Sequence, residues 1–285
     1  MSQQLYPPAG PQSIGQVLDS AFRIFEVTLV RSMLYGGVSM IAGQLQNIYS
    51  IVAGKPLLSF GGGDPVWWAL YVIGAIIVLL MVSALVLRQH GIASGNRLST
   101  SVELSEAIRR LPAYLGLSVL AILMVLVAPF IAFALFRLAG VTPNNYAVLG
   151  FIGVVAAIPV VYLMTPFTLA TPALLLGPKR PFAAIRYSMR LVRDNWWRTT
   201  TIFTVGFVVM LVFYGVAMVI VGLVLPLAGA TDIAVVTAAT AVVSVALGAI
   251  GMPFFSALML ATFGELQVRK EGTDLEKRVA AAVQA

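Results

Sequence analysis

Few residues in this chain could do chemistry. Its 285 residues include no cysteine and one histidine, which excludes thiolate catalysis, disulfide frameworks, iron–sulfur clusters and zinc sites built on several Cys or His ligands. His90, between Gln89 and Gly91, would need an activated serine and an acid to serve a hydrolase. No motif supplies them, and it reads as an interfacial loop histidine. Glu103 and Glu106 present a carboxylate pair, but Arg109 and Arg110 follow one turn on, so the helix dipole and i,i+3/i+4 pairing account for both acids. Gly61-Gly62-Gly63-Asp64 lacks the Lys-Ser/Thr of a phosphate-binding loop and reads as a flexible turn. No catalytic group, metal site or cofactor emerges, and the chain is read as non-enzymatic.

The elements that carry these residues are apolar. The composition is 60% hydrophobic and 10% charged, with a mean hydropathy of +0.96, against about 25% charged residues in an ordinary soluble domain. A bilayer span needs about 20 mostly apolar residues. Five stretches without a charge reach that length: 66–87, 111–136, 146–176, 199–227 and 233–264. A sixth, 32–53, is charge-free but carries Gln44, Gln46 and Asn47. The expected fold is therefore an all-α integral membrane protein with six transmembrane helices. Ion-coupled transport is disfavoured, because none of these stretches places an ionisable side chain at its centre.

Sixteen of the 18 Lys and Arg residues fall on one side of the threading, leaving Lys55 and Arg137 on the other. Short loops rich in Lys and Arg stay cytoplasmic, so the reading is an inner-membrane protein with both termini in the cytoplasm. The same rule explains the net charge of +7 without invoking nucleic acid. Residues 1–12, polar and proline-rich with no basic n-region or apolar core, do not form a signal peptide and are expected to be a disordered tail ahead of a membrane domain over 13–272.

Cytoplasmic segments open on recurring helix starts. Ser13-x-x-Gln16, Thr100-x-x-Glu103 and Thr273-x-x-Glu276 are capping-box patterns, the last opening an amphipathic helix over 273–285, and Pro181 opens a fourth segment. Intervals of 81 to 92 residues between these starts suit three helix-plus-hairpin units. Amphipathic loop helices without any duplication would read the same way. Within 181–198, Phe182, Ile185, Met189, Val192 and Trp196 step by 3 and 4, which predicts one apolar helical face. Arg186, Arg190 and Arg193 form a basic stripe beside it. With Trp196, Trp197 and Arg198, this helix suits the membrane interface, its arginines meeting anionic headgroups or a membrane-protein partner; a pure topology signal is the simpler alternative.

The stretch Pro172 to Thr199 (PALLLGPKRPFAAIRYSMRLVRDNWWRT) resembles a broad group of bacterial six-helix membrane proteins known as the membrane domain of glycerophosphoryl diester phosphodiesterases, and the layout is similar to that of the YciC-like (UPF0259) proteins. Ile14 to Phe25 and Gly264 to Arg278 resemble that group's ends. The resemblance implies a six-helix bundle. It does not carry over the phosphodiesterase activity, whose soluble domain and His and Glu cluster this sequence lacks.

Two intramembrane features remain. Pro159, Pro166 and Pro172, interleaved with Tyr162, Thr165, Thr168 and Thr171, are expected to bend or break the fourth span, and the residues from Tyr162 to Pro172 form a candidate groove such as a permease or lipid-handling protein would use. Thr240, Ser244 and Gly248, at spacing four, suit close helix packing within the chain. The leading expectation is a non-catalytic scaffold or accessory subunit; the permease is the alternative.

Overall fold

The structure, a computed structural model, describes residues 5–55, 63–138, 146–177, 180–227, 229 and 233–272. These residues form eight α-helices and no strand: α1 (Ile14–Gly43), α2 (Leu45–Val52), α3 (Pro65–Ala93), α4 (Thr100–Leu138), α5 (Tyr146–Leu176), α6 (Pro181–Val192), α7 (Trp196–Leu227) and α8 (Ile233–Glu271). Among the described residues five helices are long and apolar enough to cross a membrane: Ile14–Gly43, Pro65–Ala93, Thr100–Val127, Trp196–Leu225 and Ala238–Glu271. They make the chain a multi-pass membrane protein. The surface fits lipid, since α7 exposes Phe207, Leu211, Val216, Ile220 and Leu223, a run of apolar area that water would penalise.

The helices start where the local chemistry asks. The Ser13 hydroxyl accepts the Gln16 amide at 3.3 Å while Gln16 Oε1 accepts the Ser13 amide at 2.7 Å, closing the expected capping box. Asp64 caps α3 by accepting the Val66 amide at 3.0 Å. It also pairs with Lys55, and that hydrogen bond holds its carboxyl below the usual carboxylate range.

Three expectations need correction. The amphipathic starts at Ser13 and Thr100 do not make separate short helices, because α1 and α4 run without a break into their apolar halves. The stretch 32–53 is not one helix either. It resets at Gln44, where Gln46 Nε2 donates to the Gly43 carbonyl at 3.0 Å and Asn47 Nδ2 to Gln44 Oε1 at 2.7 Å, so the polar residues serve the break. Thr100-x-x-Glu103 is not a capping box. Thr100 already lies inside α4, and the Glu103 amide bonds back to the Ser99 carbonyl at 3.0 Å. The starts at Ser13, Thr100 and Pro181 otherwise fall at or next to helix beginnings; Thr273-x-x-Glu276 and the 273–285 helix lie outside the described residues, as do Gly61 and Gly62.

The chain divides into two compact units, one of residues 1–111 and 201–285, the other of 112–200. In the first, α1 packs against α3 and α8. At Gly74 a Cβ would stand 2.3 Å from the Ala42 carbonyl oxygen, so only glycine lets α1 and α3 approach this closely. Gly248 packs within the chain, against Met40. Gln89, fully buried, donates from Nε2 to Thr28 Oγ1 at 3.1 Å and to the Pro253 carbonyl at 2.9 Å, linking α3 to both neighbours.

Glu103 has a role that the sequence did not show. It is 2% exposed, with Arg88 Nη2 at 2.7 Å and the Tyr35 hydroxyl donating to it at 2.9 Å. Arg88 also donates to Thr100 Oγ1 and to the Arg31 carbonyl, at 2.7 and 2.8 Å, and lies over the Tyr35 ring at 4.5 Å. One buried ion pair thus joins α1, α3 and α4. Removing one partner of such a pair typically costs about 3–5 kcal/mol, because the other is left charged in an apolar surround. Glu106, in contrast, pairs with Arg109 and Arg110 at 2.9 and 2.6 Å, as its spacing implies.

The segment expected to be a disordered tail is in place from residue 5. The Leu5 and Tyr6 amides both donate to the Ala93 carbonyl, at 2.9 and 3.1 Å. The Tyr6 hydroxyl donates to Gln267 Oε1 at 2.9 Å, and its ring meets His90 edge-on at 4.9 Å. His90 therefore sits in the last turn of α3 under an aromatic ring, not in a loop. Gly264 makes room: a Cβ there would meet the Tyr6 ring at 2.5 Å. Since the chain has no native cysteine, docking can be read with one introduced thiol. In an Ala93→Cys protein the thiol, buried under residues 5 and 6, should label slowly, and adding Gly264→Leu should speed labelling by roughly tenfold, the factor that ~1.4 kcal/mol of lost docking gives. Equal rates would show that the segment docks without needing the space at Gly264.

Candidate lipid-contact site

The residues singled out around the fourth span and the arginine helix fall in the second unit, and a proline organises them. Pro166, in α5, has no amide hydrogen, so the carbonyl of Tyr162 one turn earlier loses its helical partner. Trp196 supplies the replacement. Its indole Nε1 donates to the Tyr162 carbonyl at 3.0 Å, with the two rings 5.1 Å apart. The Pro166 carbonyl accepts the Ser188 hydroxyl of α6. Through these two bonds α5 holds both α6 and the first turn of α7. Contrary to the expected break, α5 continues as one helix from Tyr146 to Leu176.

The 181–198 helix is likewise corrected. α6 ends at Val192, Arg193 to Asn195 turn, and a new helix opens at Trp196, with the Thr199 amide donating to the Asn195 carbonyl at 2.9 Å. Trp196, Trp197 and Arg198 therefore belong to α7. The face of α6 that is buried is Ala184, Ser188 and Leu191, with Val192 at its edge. Phe182 and Met189, two members of the expected apolar stripe, are exposed at 70% and 47%. Ala184 and Ser188 together with Leu191 and Val192 make the packed face where α6 lies on α5, a mixture that hydropathy spacing does not reveal.

Arg186, Arg190 and Arg193 are exposed, as is Trp197, while Arg198 and Trp196 are half-buried. No hydrogen bond or ion pair engages the side chains of Arg186, Arg190 and Arg193 among the described residues. Elsewhere Arg23, Arg88, Arg109, Arg110 and Arg269 each meet a carboxylate.

Beside these arginines lies a groove of about 280 Å³. α5 lines it with Tyr162, Leu163 and Pro166, α6 with Met189 and Val192, the following turn with Arg193 and the first residue of α7 with Trp196. The structure thus joins two of the expected groove residues, Tyr162 and Pro166, to the arginine helix. It excludes the other four. The Thr165 hydroxyl lies 3.1 Å from that of Thr200, Thr168 donates to the Met164 carbonyl of its own helix at 2.9 Å, Thr171 bonds Tyr114, and Pro172 is buried in packing. Leu163, Met189 and Val192 were missed as lining residues; the missing amide of Pro166 was the only local clue. Among the described residues no group of three His, Asp or Glu could hold a metal ion.

The chain matches no protein-family model, no curated protein and no solved structure.

The proline and the indole should be thermodynamically coupled. Trp196→Phe leaves the Tyr162 carbonyl without its donor and should cost about 1–3 kcal/mol. Pro166→Ala restores an amide one turn along the helix, so in that background the same substitution should cost at least ~1 kcal/mol less. A double-mutant cycle on thermal unfolding in detergent reads the difference, and additive effects would show that the indole bond does not serve the proline.

Proposed function

We propose that this chain is a non-catalytic scaffold or accessory subunit of a bacterial inner membrane that holds anionic lipid or a membrane-protein partner on its arginine-rich cytoplasmic face. The observation that carries the reading is the set of three guanidiniums, Arg186 and Arg190 on α6 and Arg193 in the turn after it, without a protein partner among the described residues and flanked by exposed Phe182, Met189 and Trp197. Unpaired cations beside exposed apolar and indole side chains suit the boundary between headgroups and acyl chains, where each basic residue contributes about 1 kcal/mol of attraction to an anionic surface.

The threading belongs to the same proposal. α5 has 31 residues and no charged side chain, which supports counting it as a sixth span beside the five long apolar helices. The distribution of Lys and Arg supports cytoplasmic termini, and the resemblance of the 172–199 stretch to a six-helix bacterial group points the same way.

Two measurements test this. Reporter fusions after residues 60, 142 and 230 should signal the outer side, and fusions after 95, 180 and 285 the cytoplasm; a cytoplasmic signal after both 10 and 60 would remove the first span, and an outer signal after 10 with a cytoplasmic one after 60 would invert it. Changing Arg186, Arg190 and Arg193 together to Gln should weaken association with vesicles containing phosphatidylglycerol by roughly 3 kcal/mol at most, with the difference shrinking as salt shortens the Debye length. Insertion should survive. Lipid retention equal to wild type at low salt would reduce the arginines to a topology signal.

A further inference from the structure

We infer that the groove beside Pro166 seats one anionic phospholipid molecule, its phosphate against Arg193 and one acyl chain along Leu163, Val192 and Met189. This rests on the lipid-contact reading above and adds a defined, single-molecule site to it.

The chemistry of the walls selects the occupant. The groove holds about 280 Å³ and its floor is aliphatic, from Leu163, Pro166, Met189 and Val192. That volume lies at the lower edge of ordinary small-molecule sites, about 300–1,000 Å³, and suits part of one chain better than a whole folded ligand. The polar groups at the rim are few. The Trp196 N–H is already committed to the Tyr162 carbonyl, so the indole offers its face and not its donor. Arg193 is exposed, lines the groove, and has no carboxylate partner among the described residues. A guanidinium above an apolar trough matches a phosphodiester carrying an acyl chain. A free phosphate would use the guanidinium and leave the trough empty. Arg186 and Arg190, on the same stripe but outside the groove, are left for diffuse attraction to the leaflet.

The groove also has a reason to keep its shape. Pro166 forbids the helical bond that would satisfy the Tyr162 carbonyl, the Trp196 donor that repairs it fixes one wall, and the Ser188 bond to the Pro166 carbonyl fixes α6 as the other. A site defined by backbone constraints on two sides is preorganised, which lowers the ordering cost of binding.

The full-length protein in detergent, titrated with dioleoyl phosphatidylglycerol or dioleoyl phosphatidylcholine and read by native mass spectrometry, tests this. Wild type should retain one phosphatidylglycerol ahead of all others, at least about five-fold in preference to phosphatidylcholine, as one additional charge contact gives. Inorganic phosphate should not displace it. Leu163→Trp fills the trough, and Met189→Trp does so from a half-exposed position that tolerates bulk; both should lose the single adduct at least five-fold while low-salt binding to phosphatidylglycerol vesicles stays at the wild-type level. Arg193→Gln should lose the adduct, whereas Arg186→Gln with Arg190→Gln should keep it and lower only vesicle binding. Adducts surviving in both tryptophan variants, or equal retention of the two lipids, would overturn the seat. If vesicle binding still falls in the triple glutamine variant, the broader reading stands without the groove; if it does not fall, that reading fails too.

Discussion

A backbone in hydrocarbon finds no water to bond, so every amide and carbonyl must be satisfied from within the chain. Prolines violate that rule, and much of what is specific here answers the violations. The carbonyl orphaned by Pro166 is met by the Trp196 indole, and α7 is thereby tied to α5 at a fixed point. Pro253 orphans the Ala249 carbonyl in α8, and opposite it stands Gly36, where a Cβ would come within 3.0 Å of that oxygen. The missing side chain lets α1 pack against that group. Neither arrangement is visible as a motif, because each joins elements distant in sequence.

Charge follows a complementary rule. Among the described residues the two buried carboxylates are paired, Glu103 with Arg88 and Glu265 with Arg269, both at 2.7 Å. The first pair ties α3 to the start of α4, the second lies within α8, and neither leaves a net charge to attract a ligand. The cations without partners on α6 are then set apart by contrast. Their neighbours Phe182 and Trp197 would cost free energy in water but not at a membrane boundary, and it is this company, more than the charge itself, that separates a lipid contact from an ordinary solvated face.

What could be read from the sequence was what depends on neighbours in sequence. Charge-free length located the apolar parts of α3, α4, α7 and α8 but not the first long apolar helix, Ile14–Gly43, which carries charged residues; Ser13 and Gln16 located one helix start, and Pro181 another. The failures share a cause. Glu103 was assigned to its own helix because its partners Arg88 and Tyr35 lie 15 and 68 positions away. The 181–198 segment looked continuous because its apolar spacing does run on through Trp196; the turn at Arg193 to Asn195 is imposed by the bonds to α5. Two of the six expected groove residues, Tyr162 and Pro166, were legible, since Pro166 marks where a helix needs outside help, but threonines near a proline could not be sorted into those that face a groove and those that bond their own helix.

The docking of Tyr6 bears on how the protein is made. Its hydroxyl partner, Gln267, lies 261 positions on, and the glycine that admits its ring is on the same helix. A ribosome delivers residue 6 into the cytosol or the membrane interface long before α8 exists. Until then α1 lacks its neighbour and Tyr6 has nowhere to bury its ring. Closure of the α1, α3 and α8 bundle must wait for the last helix to enter the bilayer, and the non-local pairing that results is slow by nature. During that interval an apolar face of α1 stands open, which makes the waiting helix a natural client for whatever machinery shelters unfinished membrane proteins.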